Sequence, residues 1–186
     1  MKTKFIEEHI KYTGKELSPH WIYRSFSLQG DAIIAFCGEC EVNLSEMVDI
    51  EDVINNEPIY SKLMLSFIAE HFNIGLIEGV TRQRLLICII KETLEEELVK
   101  LYDVIRRGDD LYIDEKKLSV SIATKSLTSV LIHIGINIDP AGAPIDAIGL
   151  DFLNIANIED FAQKIMLKYS QEINDIILAS TKVTGR

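Results

Sequence analysis

Two arginines beside a long apolar stretch, a lysine and two further arginines on neighbouring strand segments, and a Cys-x-x-Cys pair carry most of the chemistry in this sequence. Gly79-Val80-Thr81-Arg82-Gln83-Arg84 places Arg82 and Arg84 where a strand is expected to give way to a helix. Free N–H groups, the helix dipole and the guanidinium forks would together hold a phosphate or carboxylate there. The alternative is an ordinary ion pair with one of the many acidic side chains. Lys117, with Arg106 and Arg107, can line the opposite wall of such a site, or stand as exposed charges on a sheet edge. Cys37-Gly38-Glu39-Cys40 would suit zinc or redox chemistry given partners, with His20 and His71 as the candidates. Cys88 falls on an apolar stripe and reads as core. His133 lies inside an apolar strand, which suits a satisfied core histidine or, more pointedly, a proton shuttle. The acids of Asp109-Asp110 and of Asp49, Glu51 and Asp52 read as turns and helix caps.

The elements that must position these groups follow from periodicity. Alternation in Trp21 to Leu28, a turn at Gln29-Gly30-Asp31 and the apolar run Ala32 to Phe36 predict a hairpin. Pro58 followed by Tyr60, Leu63, Met64, Phe67, Ile68 and His71 at helical spacing predicts a helix. Gly75 to Val80 reads as a short buried strand, and Thr81 as the cap of a long helix buried through Leu85, Leu86, Ile89, Ile90, Leu94, Leu98 and Leu101. On its wet side Lys91–Glu95 and Glu96–Lys100 are spaced to pair. Val104-Ile105, Asp110 to Asp114, Lys117 to Thr124 and Ser129 to Ile138 read as strands, with Asp114-Glu115-Lys116 as a tight connection. A loop spans Asp139 to Pro144. Asn157 then caps a helix whose buried face is Phe161, Ile165, Tyr169, Ile173 and Ile176. The fold class expected is α+β, a largely antiparallel sheet with helices packed on it.

Composition narrows the function classes. The chain has 186 residues, 47% of them hydrophobic, and no repeat or flexible linker divides it, so residues 1–186 are expected to form one domain. Asp and Glu outnumber Lys and Arg by 29 to 19, a net charge of −10 that disfavours broad binding to nucleic acid. No apolar leader core opens the chain, and the run Leu85 to Ile90 is too short to cross a bilayer. Three cysteines make no secreted disulfide framework, so a cytoplasmic setting is expected.

The segment Asp109-Asp110-Leu111-Tyr112 through Lys117-Leu118-Ser119-Val120 resembles the Asn-Asp-Leu-Tyr … Lys-Leu-x-Gly strand pair of biotin and lipoate protein ligases. Gly135-Ile136-Asn137 resembles their Gly-Ile-Asn strand. More closely, Gly30-Asp31-x-Ile33-x-Ala35-Phe36-x-Gly38 and Gln83-Arg84-Leu85-Leu86 are features by which the chain is identified as a member of the domain of unknown function 366 family, grouped with the ligase-like fold. In the ligases an acid attacks the α-phosphate of ATP, giving an acyl-adenylate and pyrophosphate. The resemblance implies Lys117 as the catalytic lysine that bridges carboxylate and phosphate, a role suited to a flexible ammonium. It implies ATP and Mg²⁺ as cofactors, with Asn137 orienting phosphates and Asp109 carrying the metal. Arg82, Arg84, Arg106 and Arg107 would add to the anion site, and a homodimer is expected by analogy.

The departures are as informative. Val120 stands where those ligases have glycine, narrowing the space beside Lys117. Their Gly/Arg-rich and double-Arg loops have no counterpart here, and Asp109 replaces Asn, adding negative charge. These differences argue against biotin or lipoate itself. The expected function is therefore nucleotide or small-carboxylate binding with acid adenylation. Two other readings stay open: a non-catalytic metabolite-binding or assembly module that keeps the fold, and a metal or redox protein built on the cysteine pair.

Overall fold

A computed structural model of the protein describes residues 1–99 and 101–185. Along the chain run β1 (Lys2–Ile6), α1 (Trp21–Phe26), β2 (Ala32–Val42), α2 (Ile50–Asn55), β3 (Ile59–Phe72), α3 (Leu76–Leu98), β4 (Ile105–Arg107), β5 (Asp110–Ile113), β6 (Lys116–Lys117), β7 (Ser119–Lys125), β8 (Ser129–Asp139) and α4 (Ile158–Thr181). Five strands form a sheet in the order β1-β2-β3-β8-β7, antiparallel except for the β1–β2 pair. A second sheet, β4-β5-β6, stands beside it. The expected α+β arrangement, a largely antiparallel sheet carrying helices, is what the chain adopts. Among the described residues no helix is long and apolar enough to cross a membrane.

The main sheet is buried on both faces. Ile33, Leu65, Phe67, Ile132 and Ile134 meet α3 and α4, which contribute Leu86, Ile90, Phe161 and Ile165. On the other face Ile34, Phe36, Met64 and Ile68 pack with Ile22 of α1 and with Tyr12 and Leu17 of the segment before it. Covering both faces removes the polar/apolar alternation that marks a half-exposed strand. This explains why Tyr60 to His71, predicted as a helix, is instead the long central strand β3.

Three other expectations are corrected. Trp21 to Leu28 is no hairpin strand. Trp21–Phe26 form a short helix bounded by left-handed His20 and Ser27, and Ile22 anchors it to the sheet. Gly75 to Val80 is no strand, because α3 begins at Leu76, with Gly75 rather than Thr81 as its N-cap. At the helix ends, Leu101 lies outside α3 and is exposed, and Ile176 lies on an exposed stretch of α4. Strand β1, polar and at the edge, was not anticipated at all.

The Lys91–Glu95 pair forms, whereas Lys100, expected to pair with Glu96 and to end α3, lies outside the described residues. Asp114 and Glu115 both take positive φ and form the tight connection between β5 and β6, one residue shorter than the expected Asp114-Glu115-Lys116, since Lys116 pairs with Ile113 in β6. Asn157 caps α4, accepting from the Asp160 N–H at 3.1 Å.

Two contacts fix the face on which the cavity lies. The chain before α1 runs beside β2, with Ile10 N–H donating to Cys37 O at 3.0 Å and Tyr12 N–H to Glu39 O at 2.8 Å. At Gly38, beside the point where β3 inserts one extra residue against β2, a Cβ would lie 1.9 Å from the Ile10 carbonyl oxygen, so only glycine permits this approach. The approach seats Tyr12 flat against His133, with ring centroids 3.7 Å apart and planes 12° apart. His133 Nε2 meets Ser66 Oγ at 3.2 Å, and burial pushes its imidazole down to about 3, so the ring is neutral.

Gly38→Ala is expected to cost more than about 2 kcal/mol, because two backbones would have to separate; urea unfolding at pH 7 measures it. His133 gives a pH signature. Below its ordinary value near 6.5 the unfolded chain takes up a proton that the folded one refuses. Its contribution is therefore full above that value and is lost as pH falls toward about 3. Between pH 7 and pH 5 this removes about 2 kcal/mol. His133→Gln should flatten the difference between urea curves at those two pH values by that amount; an unchanged difference would mean the ring titrates normally.

Candidate functional site

On the face of the sheet away from α3 and α4 lies a cavity of about 460 Å³. Its floor comes from the register of the central strands. Met64 of β3 pairs with Asn137 of β8, and Gly135 between Asn137 and His133 leaves room for the Met64 thioether. A Cβ on Gly135 would fall 2.1 Å from Met64 Sδ. Val120 and Ile122 of β7 continue the apolar floor, and Tyr12 and Leu17 form one wall. The cover is the 43–58 segment, which joins β2 to β3 and contains α2. Asp49 caps that helix by accepting from the N–H groups of Glu51 and Asp52, and α2 buries none of its own residues. The 43–58 segment contains five acidic residues and neither Lys nor Arg.

The remaining wall is polar. Lys117 Nζ lies 2.8 Å from Asp110 Oδ2. Burial alone would lower the Lys117 ammonium, but the Asp110 carboxylate outweighs it and raises it. Burial raises the Asp110 carboxyl above the usual range against the pull of Lys117, and burial with neighbouring Asp49 likewise raises Asp52 in the cover. The backbone of Lys117 is as firmly placed. Its N–H donates to Asp146 O at 3.1 Å, and its carbonyl accepts from Ile148 N–H at 3.0 Å and from Asn137 Nδ2 at 3.4 Å. Asn137 thus borders the cavity and also ties β8 to the lysine. Asp109 borders it too, with its carboxylate accepting from Gln83 Nε2 and Ser121 Oγ, each at 2.9 Å, and meeting Arg84 Nη1 at 3.2 Å.

The structure therefore brings Lys117, Asp109 and Asn137 together at one cavity. It places the four arginines elsewhere. Arg82 is buried in the second turn of α3, under the opposite face of the sheet, where Nη1 donates to His71 Nδ1 at 2.8 Å and Nη2 to Glu78. His71 Nδ1 also meets Asp31 Oδ2 at 3.3 Å, Nε2 meets Tyr169 Oη at 2.8 Å, and burial keeps the ring below its ordinary value. The expected helix-terminal anion cradle thus becomes an internal polar network, since α3 starts more than a turn earlier than predicted. Arg84 answers Asp109, Arg106 donates to Gly108 O, and Arg107 pairs with Glu115 and covers the Tyr112 ring at 5.0 Å.

The two cysteines of the Cys-x-x-Cys pair are also separated, because residues three apart on a strand face opposite ways, Cys37 toward the helices and Cys40 into the core of the other face. Burial pushes their thiols up to about 11 and about 12, which suits inert packing. Among the described residues no group of three or more His, Cys, Asp or Glu is placed to hold a metal ion. Tyr12, Met64 and Asp52 border the cavity without having been singled out. The Asp49 cap was the local sign of the cover helix, and nothing local marks Tyr12.

Comparison with known proteins places this geometry. The uncharacterized protein MJ0805 of Methanocaldococcus jannaschii is 39% identical over 182 residues, covering 95% of this chain and 81% of its own length. The solved structure of a protein of unknown function from Pyrococcus horikoshi superposes with a TM-score of 0.93 at 36% identity, covering 100% of this chain and 98% of the other. At 13% identity and a TM-score of 0.60, a putative lipoate protein ligase from T. acidophilum with bound lipoic acid covers 94% of this chain and 87% of its own. A biotin protein ligase from Aquifex aeolicus in complex with biotin and ATP matches at 16% identity and a TM-score of 0.58, over 93% of this chain and 70% of the other. The fold is thus that of the biotin and lipoate ligases, and with residues 1–184 matching the model described as domain of unknown function (DUF366), the chain belongs to that family.

Proposed function

We propose that this protein binds a small organic acid in the cavity, its apolar body lying over Met64, Val120 and Ile122 and its carboxylate meeting Lys117. The observation that carries this reading is the cavity itself, an apolar floor ending at a half-buried ammonium whose backbone is held on both sides. Its volume suits a small ligand, and a few placed polar groups at the end of an apolar slot are the usual design of such sites. The distant relatives of the same fold that hold lipoic acid, or biotin with ATP, make the reading chemically consistent.

A triphosphate fits these residues poorly. Six carboxylates border the cavity, those of Glu46, Asp49, Asp52, Glu57, Asp109 and Asp110, and Lys117 is the one Lys or Arg among the described residues lining it. The arginines expected to share the load are engaged by Glu78, His71, Asp109, Glu115 and the Gly108 carbonyl. Asp109, the expected Mg²⁺ ligand, already accepts from Gln83 and Ser121 and pairs with Arg84. No adenylation step is therefore assigned, and the reading favoured is a metabolite-binding module on a ligase scaffold.

Thermal-shift titration with apolar carboxylic acids of four to nine carbons tests it. A ligand at a hundredfold its Kd should add about 2.7 kcal/mol of stability. Lys117→Ala should weaken that ligand at least tenfold, equivalent to about 1.4 kcal/mol, while circular dichroism stays native. Acid binding that Lys117→Ala leaves intact would remove the lysine, and with it this reading.

A further inference from the structure

The lining has more negative charge than its one ammonium offsets. A carboxylate entering alone meets one ammonium, itself already paired with Asp110, against the acidic rim and cover. In a partly closed, low-dielectric space this repulsion is poorly screened. Asp52, in the first turn of the cover helix, borders the same cavity as Asp110 and Lys117, and its carboxylate accepts no hydrogen bond from any of the described residues. Two carboxylates and one ammonium thus converge, leaving negative charge in excess at the polar end.

An independent feature lies on the floor. His133 is 3% exposed and borders the cavity. Its Nε2 is taken by Ser66, and Nδ1 has no hydrogen-bond partner among the described residues. No fully buried side-chain nitrogen or oxygen among the described residues lacks a partner, so Nδ1 is open at the cavity, where a polar ligand can satisfy it.

We propose, building on the organic-acid reading above, that the ligand is a zwitterion of the α-amino-acid type. Its carboxylate meets the Lys117 ammonium, its protonated amine lies between Asp52 and Asp110, and its apolar side chain runs over Met64, Val120 and Ile122. Such a molecule has no net charge, so it enters the acidic cavity without the penalty a bare acid or a nucleotide faces. Its ammonium also relieves the repulsion between the two carboxylates. A compact head group is required, because both acids border the polar end where Lys117 lies.

Matched pairs test this on the full chain by calorimetric titration at pH 7.5: leucine against 4-methylpentanoate, phenylalanine against 3-phenylpropanoate, norleucine against hexanoate and against hexylamine, and Mg·ATP alone. The expected result is that at least one amino acid binds tenfold or more tighter than its deaminated partner. Asp52→Asn should erase that advantage without weakening the simple acid, and an unchanged melting temperature would show that the cover helix tolerates the change. Equal binding of acid and amino acid overturns the zwitterion while leaving the organic-acid reading in place. Binding of hexylamine as tight as norleucine, binding of Mg·ATP alone, or no binding by any probe overturns both.

Discussion

The antiparallel pairing of β3 with β8, continuous from Phe72–Ser129 to Met64–Asn137, is the constraint on which the rest of the molecule depends. Because side chains alternate across a sheet, this register decides which residues face the helices and which face the cavity. Leu65, Phe67, Ile134 and Ile136 are committed to α3 and α4, leaving Met64, His133, Gly135 and Asn137 for the other face. A slip by one residue would drive His133 into the helix-side core and turn Ile134 toward the cavity. Gly135 shows how tightly the register is tuned, since the space its missing side chain leaves is filled by Met64. The floor of the site is therefore a by-product of core packing.

The two faces handle polar groups differently. Under the helices, buried Arg82, His71 and Tyr169 are satisfied by one another and by Asp31 and Glu78 toward the surface, as buried polar groups must be. Around the cavity, charges are in excess of their partners, and burial raises Asp110 and Asp52 above their usual range. Self-contained networks stabilise and specify a fold. Clusters that stay uncompensated persist where something else completes them, which is the physical basis for placing a ligand on this side.

Legibility in the sequence followed exposure. Helix α4 has one wet face, and its periodicity and Asn157 cap could be read directly. The β5–β6 turn was legible from Asp114-Glu115-Lys116, Lys117 and Asp109 came with the strand pair that resembles the ligases, and Asn137 with the Gly-Ile-Asn strand. Strand β3 was not, because burial on both sides leaves a pattern of Leu63, Met64, Phe67 and Ile68 that fits a helix equally well. Strand β1 is largely polar and gains its place through long-range contacts, parallel pairing with β2 and packing against α4. The start of α3 was missed because Gly75 to Val80 reads as a short apolar run, and that error carried Arg82 and Arg84 to a helix terminus they do not occupy. Tyr12 reaches the cavity through the backbone passage over Gly38, a long-range contact with no local signature.

A shared scaffold with the biotin and lipoate ligases need not carry their chemistry, and Lys117 shows why. Its N–H and carbonyl join the small sheet to Asp146 and Ile148 and to Asn137, and its ammonium pairs with Asp110 beneath the cover. A residue with so many structural ties has a reason to stay in place that is independent of any reaction. The 43–58 cover has few such ties, because α2 buries none of its residues and is free to vary. It is in that cover that the charge departs furthest from what a phosphate-binding loop requires. What distinguishes the polar end of this cavity is thus mainly the charge of the cover, while Lys117 is held in place by its ties to the surrounding backbone.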